Sequence, residues 1–229
     1  GPVEITGETA RYMLSVLRLK AGDVFSLFDG KGTRFRAEIK STGKNALIAE
    51  LKSPLFSSPD VAEVVLLQGL LKGQKMDLVV QKATELGVKE IVPLITERSQ
   101  LRETRKLQRW QKIAIEASRQ CGRAVIPEIK GPVSFDGFFD AITDGICGFI
   151  FWEEGGRGLK DVFTSAVDRP IYVAIGPEGG FTEREVGLAS AKGLVIATLG
   201  KRILRAETAA ISALAIIQFL SGEMAGNME

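Results

Sequence analysis

Histidine is absent from the 229 residues, and cysteine occurs only twice. Without histidine, the chain lacks Ser-His-Asp and Cys-His nucleophilic arrangements and every His-based metal site. Cys121 and Cys147 do not form a C-x-x-C pair, so their spacing indicates a reducing compartment rather than a disulfide scaffold or a zinc site. We therefore predict no metal, and any proton transfer must use Glu, Asp, Lys, Tyr or solvent.

Long apolar runs are also missing. No segment approaches the roughly 20 apolar residues that span a bilayer, and no signal-peptide pattern opens the chain. Apolar residues make up 45% and charged residues 25% of the sequence, which is typical of a soluble globular protein. The sequence thus predicts a cytoplasmic protein with no membrane partner, of a length that fits one large domain or a small and a medium domain.

Charge is unevenly distributed, although the formal net charge is only +2. Residues 72–130 carry thirteen Lys or Arg against seven acids, whereas residues 131–229 carry eight against thirteen. A basic front half favours a polyanionic partner, most simply nucleic acid. A solvated charged surface explains the same counts, so charge alone leaves both interpretations open.

A small β-rich domain is predicted for residues 1–53. Residues 8–20 have a helical apolar face, and three short runs with strand character follow it. These runs are Asp23–Phe28, Thr33–Lys40 and Ala46–Leu51. The glycines at 30 and 32 predict a hairpin between the first two runs, and the pattern is typical of a small barrel. Residues 54–60 are rich in proline and serine and predict a linker.

Residues 61–222 alternate between strand and helix patterns, which predicts an α/β domain with a mainly parallel sheet. The predicted strands are Val61–Leu71, Lys89–Ile95, Ile146–Trp152, Ile171–Ile175 and Leu194–Leu199. The predicted helices are Lys72–Leu86, Thr104–Gln120 (with Cys121 on its inward face), Ser134–Ile142, Leu159–Val167, one opening at Thr182, and Ala206–Leu220. The polar residues 223–229 predict a flexible tail.

Two strand–loop–helix units follow each other near the carboxyl end. Ile171–Ile175 ends in the glycine-rich residues 176–180, and the next strand ends at Gly200. Glycine-bearing loops at the carboxyl ends of parallel strands are typical ligand sites, although ordinary turns remain an alternative. From the residues alone the ligand stays unnamed.

Two helix starts support this interpretation. Thr182 and Glu185 fit a capping box, with Phe181 and Val186 placed as a hydrophobic staple. The helix Ala206–Leu220 is apolar on nearly every face, so we expect it to be buried, with Glu207 and Thr208 at its amino end.

Four segments resemble one family. They are LRLKAGDVFSLFDGKG (17–32), KGQKMDLVVQKATELGVKEIVPLITERS (72–99), LQRWQKIAIEASRQCGRAVIPEI (107–129) and IGPEGGFTEREVGLASAKGLVIATLGKRILRAETAAISAL (175–214). The chain closely resembles the RsmE family, which are SPOUT-superfamily methyltransferases acting on N3 of a uridine in small-subunit 16S rRNA. A Rossmann-type methyltransferase would need a glycine-rich loop after its first strand, and residues 61–72 show none.

The resemblance implies a fold, a cofactor and an assembly. It implies a PUA-like β-barrel before an α/β domain knotted as a trefoil, a homodimer, and S-adenosylmethionine (SAM) held in a bent form by three loops. The implied cofactor-binding residues are Phe151, Trp152, Glu153, Ile175, Gly176, Pro177, Glu178, Gly179, Gly180, Leu199, Gly200, Ile203, Leu204, Arg205, Thr208 and Ala209. Family members usually have an extra strand before the segment aligned to Val3 and a longer segment at residues 99–104, so both features are expected to be missing here.

Uridine N3 is a poor nucleophile until its imide proton leaves, and negative charge then spreads onto the uracil oxygens. With an activated methyl donor, the enzyme mainly has to align the groups for in-line transfer and stabilise that charge. Arg205 is the first candidate for this role and Arg202 the second, although Arg205 has an alternative as an ion-pair partner of Glu178 or Glu207. Glu207, Glu178 or solvent is the candidate base.

The predicted partner is 16S rRNA or the small ribosomal subunit. The candidate RNA-binding residues are Arg11, Arg18, Arg34, Arg36, Lys72, Lys75, Arg98, Arg119 and Arg123. Two other functions remain open at this stage. One is a non-catalytic RNA-binding and dimerisation module, and the other is an α/β enzyme acting on a small anionic metabolite.

Overall fold

The computed structural model describes residues 1–56, 62–163 and 170–225. Four predictions lie in part outside these residues: the linker at 57–60, the first residue of the strand predicted from Val61, the helix end at 164–167 and the tail at 226–229. The chain divides into two compact units, Gly1–Pro59 and Asp60–Glu229.

The first unit is an antiparallel sheet of four strands in the order β1-β4-β3-β2. The strands are β1 (Pro2–Thr6), β2 (Val24–Phe28), β3 (Thr33–Thr42) and β4 (Ala46–Phe56). A short helix α1 (Gly7–Arg11) and a π-helical turn (Tyr12–Val16) follow β1. Alternation along β3 buries Ala37 and Ile39 in an apolar core with Met13, Leu47 and Ala49, because successive side chains point to opposite faces.

Two boundaries in this unit differ from prediction. The helical segment predicted over residues 8–20 ends at Val16, and Arg18 adopts a left-handed conformation with φ 56° as the chain turns towards β2. The last strand was predicted to stop at Leu51, yet β4 continues through Phe56 and includes part of the predicted linker. Pro54 is tolerated there because it lies beyond the end of β1 and beside a register shift in the β3–β4 pairing.

The second unit contains a parallel sheet in the order β10-β12-β9-β11-β5-β6-β7, and β8 also pairs with β6. Its strands are β5 (Val64–Gly69), β6 (Glu90–Ile95), β7 (Glu128–Ile129), β8 (Val133–Ser134), β9 (Cys147–Phe151), β10 (Arg157–Gly158), β11 (Ile171–Ile175) and β12 (Leu194–Thr198). Its helices are α2 (Lys75–Glu85), α3 (Leu107–Cys121), α4 (Phe135–Asp140), α5 (Leu159–Val162), α6 (Glu183–Ala191) and α7 (Ala206–Leu220), before a 3₁₀ turn at Glu223–Ala225.

Apolar side chains cover both faces of this sheet. On β5, Val64 and Leu66 join one core with α2, α3 and α7, whereas Val65 and Leu67 join another with α4 and α6. A sheet buried on both faces explains why its strands read as continuous apolar runs rather than as alternating patterns. The predicted α/β class with a mainly parallel sheet is confirmed.

Helix α7 has the predicted bounds but not the predicted burial. Ala210, Leu214 and Ile217 are buried against the sheet, whereas Ile216 is 41% and Phe219 62% exposed. The prediction of a fully buried helix was wrong, because only one side of α7 packs against the rest of the chain and the other side is exposed. The predicted inward orientation of Cys121 was also wrong, since Cys121 is exposed.

The carboxyl half of α7 packs on the end of α2. Gln218 is 1% exposed and donates a hydrogen bond through Nε2 to the carbonyl of Leu86 at 2.7 Å, across 132 residues of sequence. This contact fixes α7 to the β5–α2–β6 crossover, which is the first of the unit.

Candidate functional site

A cavity of about 450 Å³ opens at the carboxyl ends of β9, β11 and β12. Strand β9 lies between the other two, with Phe151 in register with Ile175 on one side and with Ala197 on the other. The segments that follow these three strands therefore meet at one edge of the sheet. This is the position where open α/β sheets bind ligands.

Fourteen of the sixteen predicted cofactor-binding residues line this cavity, namely Phe151, Trp152, Glu153, Ile175, Gly176, Pro177, Glu178, Gly180, Leu199, Gly200, Ile203, Leu204, Arg205 and Ala209. Gly179 and Thr208 are not part of the lining, whereas the predicted catalytic residues Arg202 and Glu207 are. Sequence reasoning missed Thr198, which directly precedes the predicted residue Leu199, and Lys201 and Ala206, which lie between predicted residues.

The loop at residues 175–181, named here the glycine loop, packs closely on the end of β5. A Cβ atom on Gly69 would lie 2.4 Å from the backbone nitrogen of Pro177, so no side chain fits at that position. Gln68 donates a hydrogen bond through Nε2 to the carbonyl of Gly176 at 3.3 Å. The loop turns at Gly180, whose φ of 69° is left-handed and whose N–H donates to the carbonyl of Pro177 at 3.0 Å.

Helix α6 begins directly after the glycine loop with the predicted capping box, which is confirmed. The N–H of Glu185 donates to Oγ1 of Thr182 at 3.3 Å, and the N–H of Thr182 donates to Glu185 Oε2 at 2.9 Å. Phe181 and Val186, the predicted staple, are both buried in the same apolar cluster. The cap fixes where the glycine loop ends.

Glu178 at the rim of the cavity is paired with Lys75. Lys75 Nζ donates to Glu178 Oε1 at 2.9 Å, and the N–H of Lys72 donates to the same oxygen at 3.2 Å. Partial burial opposes ionisation of Glu178, but the hydrogen bond from Lys75 and those from backbone N–H groups outweigh it, so its pKa lies below the ordinary value.

Neither candidate arginine is paired. Among residues 1–56, 62–163 and 170–225, the side chains of Arg202 and Arg205 have no hydrogen-bond or ion-pair partner, and both are exposed. The alternative in which Arg205 pairs with Glu178 or Glu207 is therefore not what the structure shows. Both guanidinium groups are available to an anionic or charge-accumulating ligand.

Two polar atoms in the cavity wall are buried and have no partner within the described part of the chain. They are Trp152 Nε1, which is a donor, and Glu207 Oε2, which is an acceptor. Buried polar groups in native proteins are nearly always hydrogen-bonded. Because both atoms have almost no accessible surface, a ligand in the cavity would reach them only with a shift of the surrounding side chains.

The predicted RNA-binding residues of the second unit have different surroundings. Lys72 is exposed, Lys75 pairs with Glu178, and Arg119 forms an ion pair with Glu116 at 2.7 Å. Arg123 donates to the carbonyls of Gly87 at 2.8 Å and Val88 at 2.6 Å, beyond the end of α2. Arg98 donates to carbonyls of the glycine loop. The last two guanidinium groups thus have partners in the chain's own backbone.

In the first unit, Arg11, Arg18 and Arg36 are exposed and Arg34 is half-buried. Arg36 directly precedes the buried Ala37 on β3, which places it on the face opposite the core of this unit, whereas Arg34 lies beyond the register shift between Phe35 and Ala37.

Two other features are absent from the described residues. They contain no group of three or more His, Cys, Asp or Glu side chains arranged to hold a metal ion. They also contain no helix with the length and apolar character needed to cross a membrane.

The chain matches two family models. Residues 58–218 match an RNA methyltransferase domain, and residues 5–52 match an RNA methyltransferase PUA domain. The fold predicted for the two parts of the chain is therefore confirmed: a PUA-like domain precedes an α/β methyltransferase domain.

Curated relatives and solved structures are similar over nearly the whole chain. Ribosomal RNA small subunit methyltransferase E of Rickettsia conorii is 35% identical over 210 residues, which cover 91% of this chain and 86% of the relative. The protein of the same name from Bacillus subtilis is 30% identical over 237 residues, covering 97% and 92%. The structure of the Neisseria gonorrhoeae protein of this name, bound to SAM, has a TM-score of 0.88 at 33% identity and covers 96% of this chain and 92% of that one.

A methyltransferase of Legionella pneumophila, solved in complex with SAM, has a TM-score of 0.85 at 34% identity, with 96% and 92% of the two chains covered. The matched sequences include both the PUA-like domain and the strands, loops and helices that build the cavity. This chain therefore belongs to the ribosomal RNA small subunit methyltransferase E family.

Proposed function

We propose that this protein is a SAM-dependent methyltransferase that methylates N3 of a uridine in 16S rRNA of the small ribosomal subunit. The observation that carries the proposal is the cavity at the ends of β9, β11 and β12, with an unpartnered donor and an unpartnered acceptor buried in its wall. Relatives of the same family, solved with SAM bound, support the choice of cofactor. The substrate makes the bacterial cytoplasm the expected place of action.

The residues present fit SAM. A cavity of about 450 Å³ lies within the range of roughly 300 to 1,000 Å³ that is typical of small-molecule sites. SAM carries carboxylate, ribose and adenine acceptors for a donor such as Trp152 Nε1. The glycine loop and the segment from Leu199 to Ala209 supply backbone groups without bulky side chains at Gly176, Gly180 and Gly200. These segments would hold the cofactor.

When bound, SAM supplies a methyl group already activated by the sulfonium, and the proposed transfer to N3 is in line. The protein must then stabilise the negative charge that reaches the uracil oxygens as the N3 proton leaves. Arg205 is assigned this task, with Arg202 as a second donor, because both guanidinium groups are unpaired at the cavity. A fixed positive donor beside developing charge lowers the barrier without reorganisation.

Glu207 is the better placed of the two candidate bases. Its Oε2 atom is buried in the cavity wall and has no partner among the described residues. Glu178 is already engaged by Lys75, and its lowered pKa makes it a weaker proton acceptor. Solvent remains the third route for the proton.

The proposed RNA contacts are the exposed Arg11, Arg18 and Arg36 and the half-buried Arg34 in the first unit, and the exposed Lys72 and Arg119 in the second. Contacts from these residues to phosphates would place the rRNA without reading its sequence, and the target base would be read in the cavity.

The proposal includes a homodimer and a trefoil knot. Phe219 and Ile216 on α7 and Ile203 before it expose 62%, 41% and 85% of their surfaces, which suits coverage by a second copy. The knot is suggested by the sheet order, because β9 lies between β11 and β12 while the segments after all three strands wall a single cavity.

The test uses small ribosomal subunits from cells that lack this gene. Mass mapping of modified nucleotides should show one methyl group on a uridine base of 16S rRNA that appears on incubation with the protein and SAM. Isothermal titration of the protein with SAM gives an independent readout. Absence of both the modification and SAM binding contradicts the proposal and favours a non-catalytic RNA-binding module.

A further inference from the structure

We propose that Arg98 is a positioning residue for SAM, acting through the glycine loop rather than through RNA. The inference rests on the proposed function, since it assigns a role within the same cavity. Arg98 Nη1 donates hydrogen bonds to the carbonyl of Gly179 at 3.1 Å and to that of Phe181 at 3.2 Å. These two carbonyls flank Gly180, where the loop takes its left-handed turn. One guanidinium therefore ties together both sides of the turn.

Arg98 itself stands on a fixed support, the segment Thr96–Arg102, named here the brace. The N–H of Thr96 donates to Ser99 Oγ at 3.0 Å, and the two hydroxyl oxygens lie 2.9 Å apart, with both residues buried. Arg102 closes the turn by donating to the carbonyls of Thr96 at 3.0 Å and Glu97 at 2.9 Å. The brace is thus held by its own hydrogen bonds before it contacts the loop.

A second link joins the brace to the far end of the glycine loop. The N–H of Glu97 donates to Oε1 of Glu185 at 2.8 Å, and Glu185 is fully buried. The other oxygen of that carboxylate forms the capping box with Thr182. Arg184 adds an ion pair to the side chain of Glu97. The brace therefore holds the glycine loop at its turn, through Arg98, and at the helix start that follows it, through Glu97.

The packing between Arg98 and the loop is also close. A Cβ atom on Gly179 would lie 3.0 Å from the Cβ of Arg98 and 3.3 Å from its carbonyl oxygen. Gly179 is not part of the cavity lining, whereas Glu178 and Gly180 on either side of it are. Gly179 thus faces the brace while its neighbours face the ligand.

The physical consequence is preorganisation. Two adjacent glycines have a large conformational freedom when nothing restrains them, so ordering them costs entropy. If Arg98 restrains them before the ligand arrives, ligand binding no longer carries that entropic cost. Without Arg98, the turn at Gly180 must be ordered by SAM itself. The effect should fall on SAM affinity and not on the chemical step.

The experiment compares Arg98→Ala and Arg98→Lys with Arg105→Ala as the matched control. Arg105 is exposed and has no side-chain partner in the described part of the chain, so its replacement removes the same charge without touching the loop. For Arg98→Ala we expect Kd and KM for SAM to rise about tenfold, as for loss of charge-assisted hydrogen bonds. kcat at saturating SAM should stay within about threefold of wild type, because the reacting groups are unchanged.

Two further readouts separate this role from a general structural one. Amide exchange of residues 179–181 in the cofactor-free protein should be faster in Arg98→Ala and unchanged in Arg105→Ala. Arg98→Lys should recover part of the SAM affinity, because an ammonium can still donate to one of the two carbonyls. If Arg98→Ala does not fold, Arg98→Lys gives the same comparison with a smaller change.

Unchanged SAM affinity and unchanged exchange, with a raised KM for rRNA and a shallower salt dependence, would overturn the proposal in favour of a phosphate contact. Failure of the wild-type protein to bind SAM would instead refute the proposed function. In that case the exchange measurement on the cofactor-free protein still decides whether Arg98 holds the loop.

Discussion

Lys75 and Glu178 are paired at 2.9 Å on the rim of the cavity, although 103 positions separate them in the sequence. The pair joins the first residue of α2 to the glycine loop after β11. Lys75 and two backbone N–H groups stabilise the Glu178 carboxylate, whereas Arg205, which lines the same cavity, has no side-chain partner in the described chain. The paired Glu178 is therefore the weaker candidate base, and the unpaired Arg205 is the candidate that stabilises charge on the substrate.

Arg205→Ala should lose methyl transfer while SAM binding largely persists. Removing one donor that stabilises transition-state charge typically lowers kcat by about 10²- to 10³-fold. Transfer of radiolabelled methyl groups to small subunits measures the rate, and isothermal titration measures SAM affinity. Activity equal to that of wild type would remove Arg205 from the mechanism.

Lys75→Met should reduce stability slightly at neutral pH and not at acidic pH. The folded-state pKa of Glu178 is lowered, so its contribution is complete above the unfolded value of 4.5 and is lost as the pH falls through the folded value. The pair lies at the surface with both side chains partly exposed, and about 0 to 1 kcal/mol is expected at pH 7. Urea unfolding at several pH values checks this, with Lys160→Met as a control whose effect should not vary with pH.

Glu185→Ala should destabilise the second unit by about 2 to 3 kcal/mol, because it removes a buried carboxylate that accepts hydrogen bonds from the N–H groups of Thr182 and Glu97. Glu183→Ala removes an exposed carboxylate from the same helix turn and should cost well under about 1 kcal/mol. Urea unfolding measures both variants. Equal losses would mean that the helix dipole, and not the buried hydrogen bonds, dominates.

Arg123→Ala should destabilise the protein by about 1 to 3 kcal/mol in urea unfolding, since the carbonyls of Gly87 and Val88 lose their donor.

Arg119→Glu should instead leave stability nearly unchanged and weaken binding to rRNA, with the slope of log affinity against log salt concentration reduced by about one. Filter binding across salt concentrations tests this, with Lys160→Glu as a reversal outside the proposed RNA contacts. An unchanged slope would leave Arg119 as ordinary solvated surface.

Phe219→Glu should convert the protein from a dimer to a monomer. A carboxylate on the exposed face of α7 would be buried without a partner if a second copy covers that face. Sedimentation equilibrium gives the mass. Leu55→Glu places the same charge at an exposed apolar position of the first unit and should leave the mass unchanged. A monomeric wild type would rule out this interface.

The sequence predicts the local features of the site well. The capping box at Thr182 and Glu185 and the bounds of α7 follow from neighbouring residues, because caps and helical periodicity depend on spacings of three and four. The clustering of the segments after β9, β11 and β12 follows from the strand–loop–helix pattern together with the resemblance to a known family.

Contacts between distant segments could not be predicted in the same way. The roles of Arg98 and Arg123 depend on which carbonyls lie opposite them, and those carbonyls belong to other strand–helix units whose placement is fixed only by the sheet order. An exposed arginine in a basic region fits RNA binding equally well. The apolar composition of α7 likewise does not reveal which sides of the helix are buried within the chain and which are left exposed.

Helix α7 supplies one wall of the cavity and is the last long element of the chain. During synthesis, the earlier strands leave the ribosome before this wall exists, and the apolar residues that pack against it remain uncovered. Until residue 217 has left the ribosome, the nascent chain therefore has neither a complete apolar core nor a cavity that can bind the cofactor. Competence to bind SAM should therefore appear abruptly, once residue 217 has emerged and α7 can pack, in a protein whose proposed substrate belongs to the ribosome itself.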